Sequence, residues 1–145
     1  MIDVVQKSKR SLMMSAIRGK DTRPEIQVRK FLHASGFRYR LHDRSLPGKP
    51  DVVLPRYRVV ILVHGCFWHR HAGCRYAATP ATRPEFWLEK LEGNRARDKR
   101  AQCELRALGW RVAIVWECSL KKSSSDSLMR LSRFITSKSD FEEFS

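Results

Sequence analysis

Cys66, His71 and Cys74 follow the spacing Cys-x4-His-x2-Cys, and a further cysteine, Cys118, lies downstream. Three thiols and an imidazole form a standard closed set for one structural Zn2+, which takes four nitrogen or sulfur donors in a tetrahedron. The plainer reading is that Cys66 and Cys118 are ordinary buried thiols and His71 a surface residue. Asp51 and His64 offer a different chemistry. A carboxylate beside an imidazole makes a bed for a harder divalent ion.

Both groups need strands to bring their members together. Residues 51–54 and 58–63 are runs of β-formers around a turn at Pro55-Arg56-Tyr57, and read as a hairpin. With the turn centred near Arg56, Asp51 falls opposite Ile61 or Leu62, at the end of the hairpin where His64 begins. Residues 110–116 form another strand. A long helix lies between it and the 58–63 strand, and such a crossover joins parallel neighbours. Parallel neighbours end on the same side, so Cys118 is expected close to Cys66.

Two Thr-x-x-Glu boxes, Thr22 to Glu25 and Thr82 to Glu85, each with proline near the first helical position, are expected to open helices over about 23–35 and 83–107. Phe86, Leu88, Leu91, Leu105 and Leu108 punctuate the second, and Cys103 reads as a small core residue within it. A shorter helix is expected over 11–17, a strand over 37–41 and a last helix over 125–136. The predicted order is α-β-β-β-α-β plus a terminal helix. The domains read as a basic arm or helix over 1–20, one domain over 21–136, and an acidic tail over 137–145 that frays.

Composition narrows the class. The 145 residues include 29 Lys and Arg against 15 Asp and Glu, a formal charge of +14. A small domain this basic repels itself unless a polyanion is near, and nucleic acid is the commonest such partner. Hydrophobic residues make up 42%, enough for a packed domain rather than a disordered chain. No signal peptide and no membrane-spanning run is legible, so no membrane partner is expected, and the location is read as cytoplasmic. Cysteines in a reducing compartment favour metal over disulfides.

The string Val63-His64-Gly65-Cys66-Phe67-Trp68-His69-Arg70-His71 resembles the signature of the very short patch repair (Vsr) endonucleases. So do Ser45-Leu46-Pro47-Gly48-Lys49-Pro50-Asp51, Pro80 to Lys90, and Gly109 to Cys118, and the likeness runs over roughly residues 5 to 122. It implies an α/β fold of the restriction-endonuclease type, a three-layer α/β/α core on a mixed central sheet with a structural zinc site. The implied activity is a Mg2+-dependent nick in duplex DNA, 5′ to the T of a T·G mismatch, leaving 5′-phosphate and 3′-hydroxyl ends. The implied work is DNA repair after 5-methylcytosine deamination, on the nucleoid, alongside a cytosine-C5 methyltransferase, by a monomer.

Carried over by position, the resemblance makes Asp51 and the backbone carbonyl of Val63 the ligands of two magnesium ions. His64 and Glu25 hold waters of the metal, His69 is the general base, and Asp98 orients it. Met14, Phe67, Trp68 and Trp87 wedge into the base stack. Cys66, His71, Cys74 and Cys118 hold zinc. Where the wider superfamily has Glu-x-Lys, this strand ends Leu62-Val63-His64.

Plainer readings stand beside these. Glu25 is explained by helix capping alone, and Phe67, Trp68 and Trp87 by core packing. A zinc-stabilised DNA-binding module without catalysis, or a nuclease of the same fold cutting other sites, would share much of the pattern. Asp51 and His69 separate the first of these from an enzyme, because a pure binder has no use for a carboxylate among phosphates.

Overall fold

A computed structural model describes residues 21–145. The arm over 1–20, with Met14 and the helix expected over 11–17, lies outside the described residues.

The first capping box forms. Thr22 Oγ1 accepts the Glu25 amide hydrogen at 3.4 Å, and Glu25 Oε2 accepts the Asp21 amide hydrogen at 2.8 Å. The first bond satisfies an amide that a helix start leaves without a partner, and the second reaches one residue beyond the N-cap to hold the incoming chain. The helix they open, α1, spans Arg23–Ala34. It stops where Gly36, at φ 85°, lets Phe37 N–H reach back to the Leu32 carbonyl.

Strands β1 (Arg40–Leu41), β2 (Val52–Leu54) and β3 (Val59–His64) follow. A 3-10 turn at Pro55–Tyr57 joins the last two, closed by Arg58 at φ 56°. After a long loop come α2 (Pro84–Ala107), β4 (Arg111–Trp116), α3 (Glu117–Thr136) and β5 (Phe141–Phe144). The strands form one mixed sheet in the order β1-β2-β3-β4-β5, antiparallel up to β3 and parallel from β3 to β5. The expected hairpin and parallel crossover are therefore both present.

Every residue of β2 and β3 is buried, because each face carries its own core. Val59, Ile61 and Val63 meet Val28 and Leu32 of α1 and Leu131 and Ile135 of α3. Val60 and Leu62 meet Leu105 of α2 and Trp116 on the other face. Alternate side chains point to opposite faces, so strands covered on both sides read as continuous apolar runs.

Several expectations are corrected, among them the strand expected over 37–41, which is only Arg40–Leu41. Residues 137–145 do not simply fray: Phe141–Phe144 pairs in parallel with Val112–Val115, and Phe144 is fully buried. One inward aromatic outweighs the two acidic residues beside it, Glu142 and Glu143, which leave that core free. Cys103 is exposed rather than in the core. Phe86, Leu88 and Leu108 are exposed as well, while Leu91 and Leu105 are buried. Two causes act. Cys103 stands two positions, about 200° of helical turn, from the fully buried Leu105 and so lies on the outer face. The 24-residue helix, about 36 Å long, also outreaches a six-residue strand of about 20 Å, which leaves Phe86 and Leu88 beyond the core.

The second capping box differs from the first. Helix α2 takes its N-cap from Arg83, at φ 53° and with no side-chain cap hydrogen bond. Helix α3 starts directly from β4 rather than at residue 125, and is kinked at Ser123. Its far end is held by Arg111, whose guanidinium donates to the carbonyls of Phe134, Ile135, Ser137, Ser139 and Tyr57 at 2.7 to 3.1 Å. That one side chain ties α3, the approach to β5 and the hairpin turn together. Among the described residues no helix is long and apolar enough to cross a membrane.

Candidate functional site

The register Val52↔Ile61 sets Asp51 opposite Leu62. There β2 runs out, and the Asp51 side chain takes the place of a backbone partner: Oδ2 accepts the Val63 amide hydrogen at 2.7 Å. In an extended strand the N–H and C=O of one residue face the same neighbour. The Val63 carbonyl is therefore directed to the Asp51 side, as a shared metal site requires.

Glu25 comes to the same place from α1, 2% exposed. Burial, opposed by the Val63 N–H and reinforced by the adjacent Glu25 carboxylate, pushes Asp51 up to about 8. Two buried carboxylates side by side repel unless one keeps a proton or a cation lies between them. This donor set, two carboxylates and a carbonyl, fits a hard divalent ion. Glu25 also keeps its bond to the Asp21 amide, so the carboxylate that caps α1 is the one that lies beside Asp51.

His64, at the end of β3, is 5% exposed, and its Nδ1 has no hydrogen-bond partner among the described residues. Burial first, then the neighbouring His69 and His71, holds it well below the usual histidine range, so it is neutral. His69 stacks on it, with ring centroids 3.9 Å apart and planes 6° from parallel. A tight turn carries His69 there, closed by His69 N–H to the Gly65 carbonyl at 3.1 Å and His71 N–H to the Cys66 carbonyl at 2.9 Å. From α2, Asp98 Oδ2 meets His69 Nδ1 at 2.6 Å. A carboxylate accepts only, so Nδ1 carries the hydrogen and Nε2 presents its lone pair.

Asp51, Val63, His64, His69 and Asp98 line one cavity of about 250 Å3, together with Lys49 and its neighbours Gly48 and Ala101. Since one water takes roughly 30 Å3, the space accommodates a phosphate group and several waters. Five of the residues singled out by sequence thus meet, and Glu25 lies against Asp51. Lys49 had not been singled out, although it stands within one of the motifs.

The second cluster adjoins the first. One donor atom each of Cys66, His71, Cys74 and Cys118 lie within 4.8 Å of one another. The parallel β3–β4 pairing brings Cys118 to Cys66, and Cys66 Sγ accepts the Cys118 amide hydrogen at 3.3 Å. Burial pushes the Cys66 thiol up to about 12 and raises Cys118 as well. Crowded buried thiols are poor hydrogen-bonding partners. A soft divalent cation would displace their protons and satisfy all four donors, so the set fits zinc. A third grouping, Asp21, Glu25 and His42, has compatible spacing. There the Arg29 guanidinium already bonds Asp21 at 2.6 Å and Glu25 at 3.1 Å, which leaves the grouping with its own cation.

Phe67, Trp68 and Trp87 form a half-buried aromatic cluster with ring centroids 5.0 to 6.0 Å apart. Phe86, which had been expected on the apolar side of α2, adds an exposed ring 5.3 Å from Trp87. Asn94 of α2 donates to the Trp68 carbonyl at 3.0 Å and steadies the loop.

Two adjacent carboxylates, an oriented imidazole and a thiol-imidazole cluster that could hold a metal ion lie at one end of the mixed sheet of an α/β protein, beside a polar cavity. Comparison with known proteins narrows the class. The family model described as DNA mismatch endonuclease Vsr matches residues 2–76. The chain is 51% identical over 120 residues to a type II nicking enzyme, V.XorIIP, of Xanthomonas oryzae pv. oryzae, covering 83% of this chain and 88% of the relative. It is 50% identical over 121 residues to the DNA mismatch endonuclease Vsr of Escherichia coli K12, covering 83% and 77%. A Neisseria meningitidis type II nicking enzyme, V.NmeAIP, is 45% identical over 137 residues, covering 93% and 97%. The chain belongs to the Vsr family.

Proposed function

We propose that this protein is a Mg2+-dependent DNA endonuclease that nicks one strand of a duplex 5′ to the T of a T·G mismatch, on a restriction-endonuclease-like fold. The observation that carries the reading is the cavity where Asp51, with Val63 beside it, faces the His69–Asp98 pair. A module that only bound DNA would gain nothing from two carboxylates and an oriented imidazole where phosphate must approach. The names of the relatives, mismatch endonuclease and nicking enzymes, support the substrate.

In this reading Asp51 and the Val63 carbonyl would hold magnesium, with Glu25 behind Asp51 and His64 alongside. The metal supplies charge neutralisation at the phosphate and lowers the pKa of water. His69 Nε2 removes a proton from the attacking water, and Asp98 stabilises the imidazolium that results. The water oxygen bonds to phosphorus as the bond to the 3′ oxygen breaks, and the departing 3′ oxyanion takes a proton from water in the cavity, leaving a 5′-phosphate and a 3′-hydroxyl. Cys66, His71, Cys74 and Cys118 would hold one zinc ion, which fixes the turn that presents Phe67, Trp68 and His69.

The aromatic cluster gives mismatch preference. Wedging rings into a base stack costs a few kcal/mol of unstacking, each base–aromatic stack returns about 1–3 kcal/mol, and a wobble pair opens more easily than a Watson–Crick pair. Phe67, Trp68 and Trp87 would act here, with Met14 from the arm over 1–20. The T of such a mismatch arises by deamination of 5-methylcytosine, so a cytosine-C5 methyltransferase is the expected companion. The protein is read as a monomer working on cytoplasmic, nucleoid DNA.

The test is nicking of end-labelled duplexes that differ only in T·G against T·A. The expected result is one cut, on the T strand, with Mg2+ present. Asp51→Ala should bind the mismatched duplex without cutting it, and full activity in that variant overturns the site.

A further inference from the structure

We infer that Lys49 is a further catalytic residue, its ammonium contacting a non-bridging oxygen of the phosphate being cut. This rests on the nuclease reading above, and three observations lead to it.

Among the described residues Lys49 is the one Lys or Arg lining the cavity of Asp51, Val63, His69 and Asp98. The titratable groups there are otherwise two carboxylates and two imidazoles. A phosphodiester entering that space carries a negative charge towards Asp51. As water attacks, more charge gathers on the non-bridging oxygens, and a fixed cation at that point favours the transition state over the ground state.

The ammonium is also uncommitted. No carboxylate pairs with it among the described residues, although Asp51 lies two positions along the chain. An amine kept out of ion pairs is available to a phosphate as a point charge with three donors.

The backbone places it at a conformational cost. Lys49 sits at φ 46°, directly after Gly48 at φ 73° and directly before Pro50. The left-handed region suits glycine or asparagine, and a residue before proline is pushed towards extended backbone. The turn is nevertheless pinned. Lys49 N–H donates to the Leu46 carbonyl at 3.1 Å, and Gly48 lies so close to α2 that an added Cβ would stand 2.7 Å from the Ala101 Cβ. Pro50 is buried and leads straight into Asp51. A long cation therefore occupies a rigid position on the cavity rim where glycine would be easier to accommodate. Strain of this kind collects at functional sites.

The experiment compares the wild-type protein with Lys49→Gln, Lys49→Arg and Lys49→Gly, measuring single-turnover nicking at saturating T·G duplex together with duplex affinity and thermal midpoint. Loss of a transition-state contact predicts a fall in rate on the order of 10²-fold in Lys49→Gln, with affinity changed less than about tenfold. Lys49→Arg restores part of the rate. Lys49→Gly relieves the backbone, so it melts no lower than the wild type yet is as slow as Lys49→Gln. Rates within twofold of wild type for Lys49→Gln at saturating duplex overturn the inference and leave the nuclease reading standing. A slow Lys49→Gln with a lowered midpoint, beside a fully active Lys49→Gly, also overturns it, because the side chain would then act only on the fold. A wild-type protein that cuts no mismatched duplex overturns both.

Discussion

His64 and His69 lie ring on ring, 3.9 Å between centroids, and only His69 has a carboxylate, Asp98, on its Nδ1. The two rings differ in what an added proton would meet. A proton gained by His69 has a counter-charge waiting, whereas one gained by His64 would sit buried with no acceptor and press against its neighbour. Asp98→Asn keeps the shape but removes that counter-charge, and an amide can present either its oxygen or its NH2 to the ring. Nicking is expected to fall on the order of 10²- to 10⁴-fold, with DNA affinity retained. Undiminished single-turnover rates in Asp98→Asn would show that the carboxylate does not serve the base.

Asp51 sets a pH dependence of stability in metal-free protein. Its folded pKa is pushed up to about 8 from 3.8. Between those values the folded chain holds a proton that the unfolded chain has released. The contribution is therefore fully present below pH 3.8, and is lost as pH rises through about 8. Asp51→Asn removes this loss. Its melting temperature should gain on that of the wild type from pH 5 to pH 8.5 in the presence of EDTA. Added Mg2+ should narrow the gap at high pH, since the ion binds the deprotonated wild-type carboxylate. A gap that is constant across the range contradicts the buried carboxylate pair.

Zinc content is a direct measurement. Protein purified without chelator should carry one zinc per chain by elemental analysis, and Cys66→Ser or Cys118→Ser should lose it. Because a core already exists without the metal, the variants are expected to fold with reduced stability rather than to remain unfolded. Nicking should fall too, as the turn carrying His69 loosens. Full metal content in both variants would remove the assignment.

Arg111 holds five carbonyls at the end of α3 and around it. Arg111→Met leaves several of them without donors while keeping much of the apolar stem. A cost of about 2–4 kcal/mol in urea unfolding is expected. Lysine restores one point donor and not the fork, so Arg111→Lys should recover only part of the loss. A change below about 0.5 kcal/mol in Arg111→Met would mean that water serves those carbonyls equally well.

Phe144 gives the test of the last strand. Truncation to alanine in a fully buried position should cost about 3–5 kcal/mol. A frayed tail would show almost no effect.

The parts of the molecule that sequence could foretell are those in which spacing has a single geometric meaning. A hairpin turn at Pro55–Tyr57 places Asp51 beside Val63, and a helical crossover brings Cys118 to Cys66. What escaped depended on distances across the fold. The strand at Phe141–Phe144 is short and half acidic, and only its neighbour β4 makes it a strand. Cys103 falls on the side of α2 opposite the fully buried Leu105, and a helix with few apolar anchors does not announce which side faces the sheet. Lys49 is invisible to pattern because a lysine before a proline has no chemical signature. Its place in the cavity follows from the closeness of Gly48 to Ala101. Glu25 was legible as a cap from its spacing to Thr22, while its place beside Asp51 depends on how α1 lies in the fold.

Trp116 stands between the two clusters, edge-on to His64 at 5.0 Å and stacked on His71 at 4.0 Å. The run His69, His64, Trp116, His71 sets its indole against a histidine of each cluster. Its emission is thus a built-in optical gauge: a protein in which Trp68, Trp87 and Trp110 are replaced by phenylalanine would signal the loading of each metal by a separate change in brightness, with no label attached.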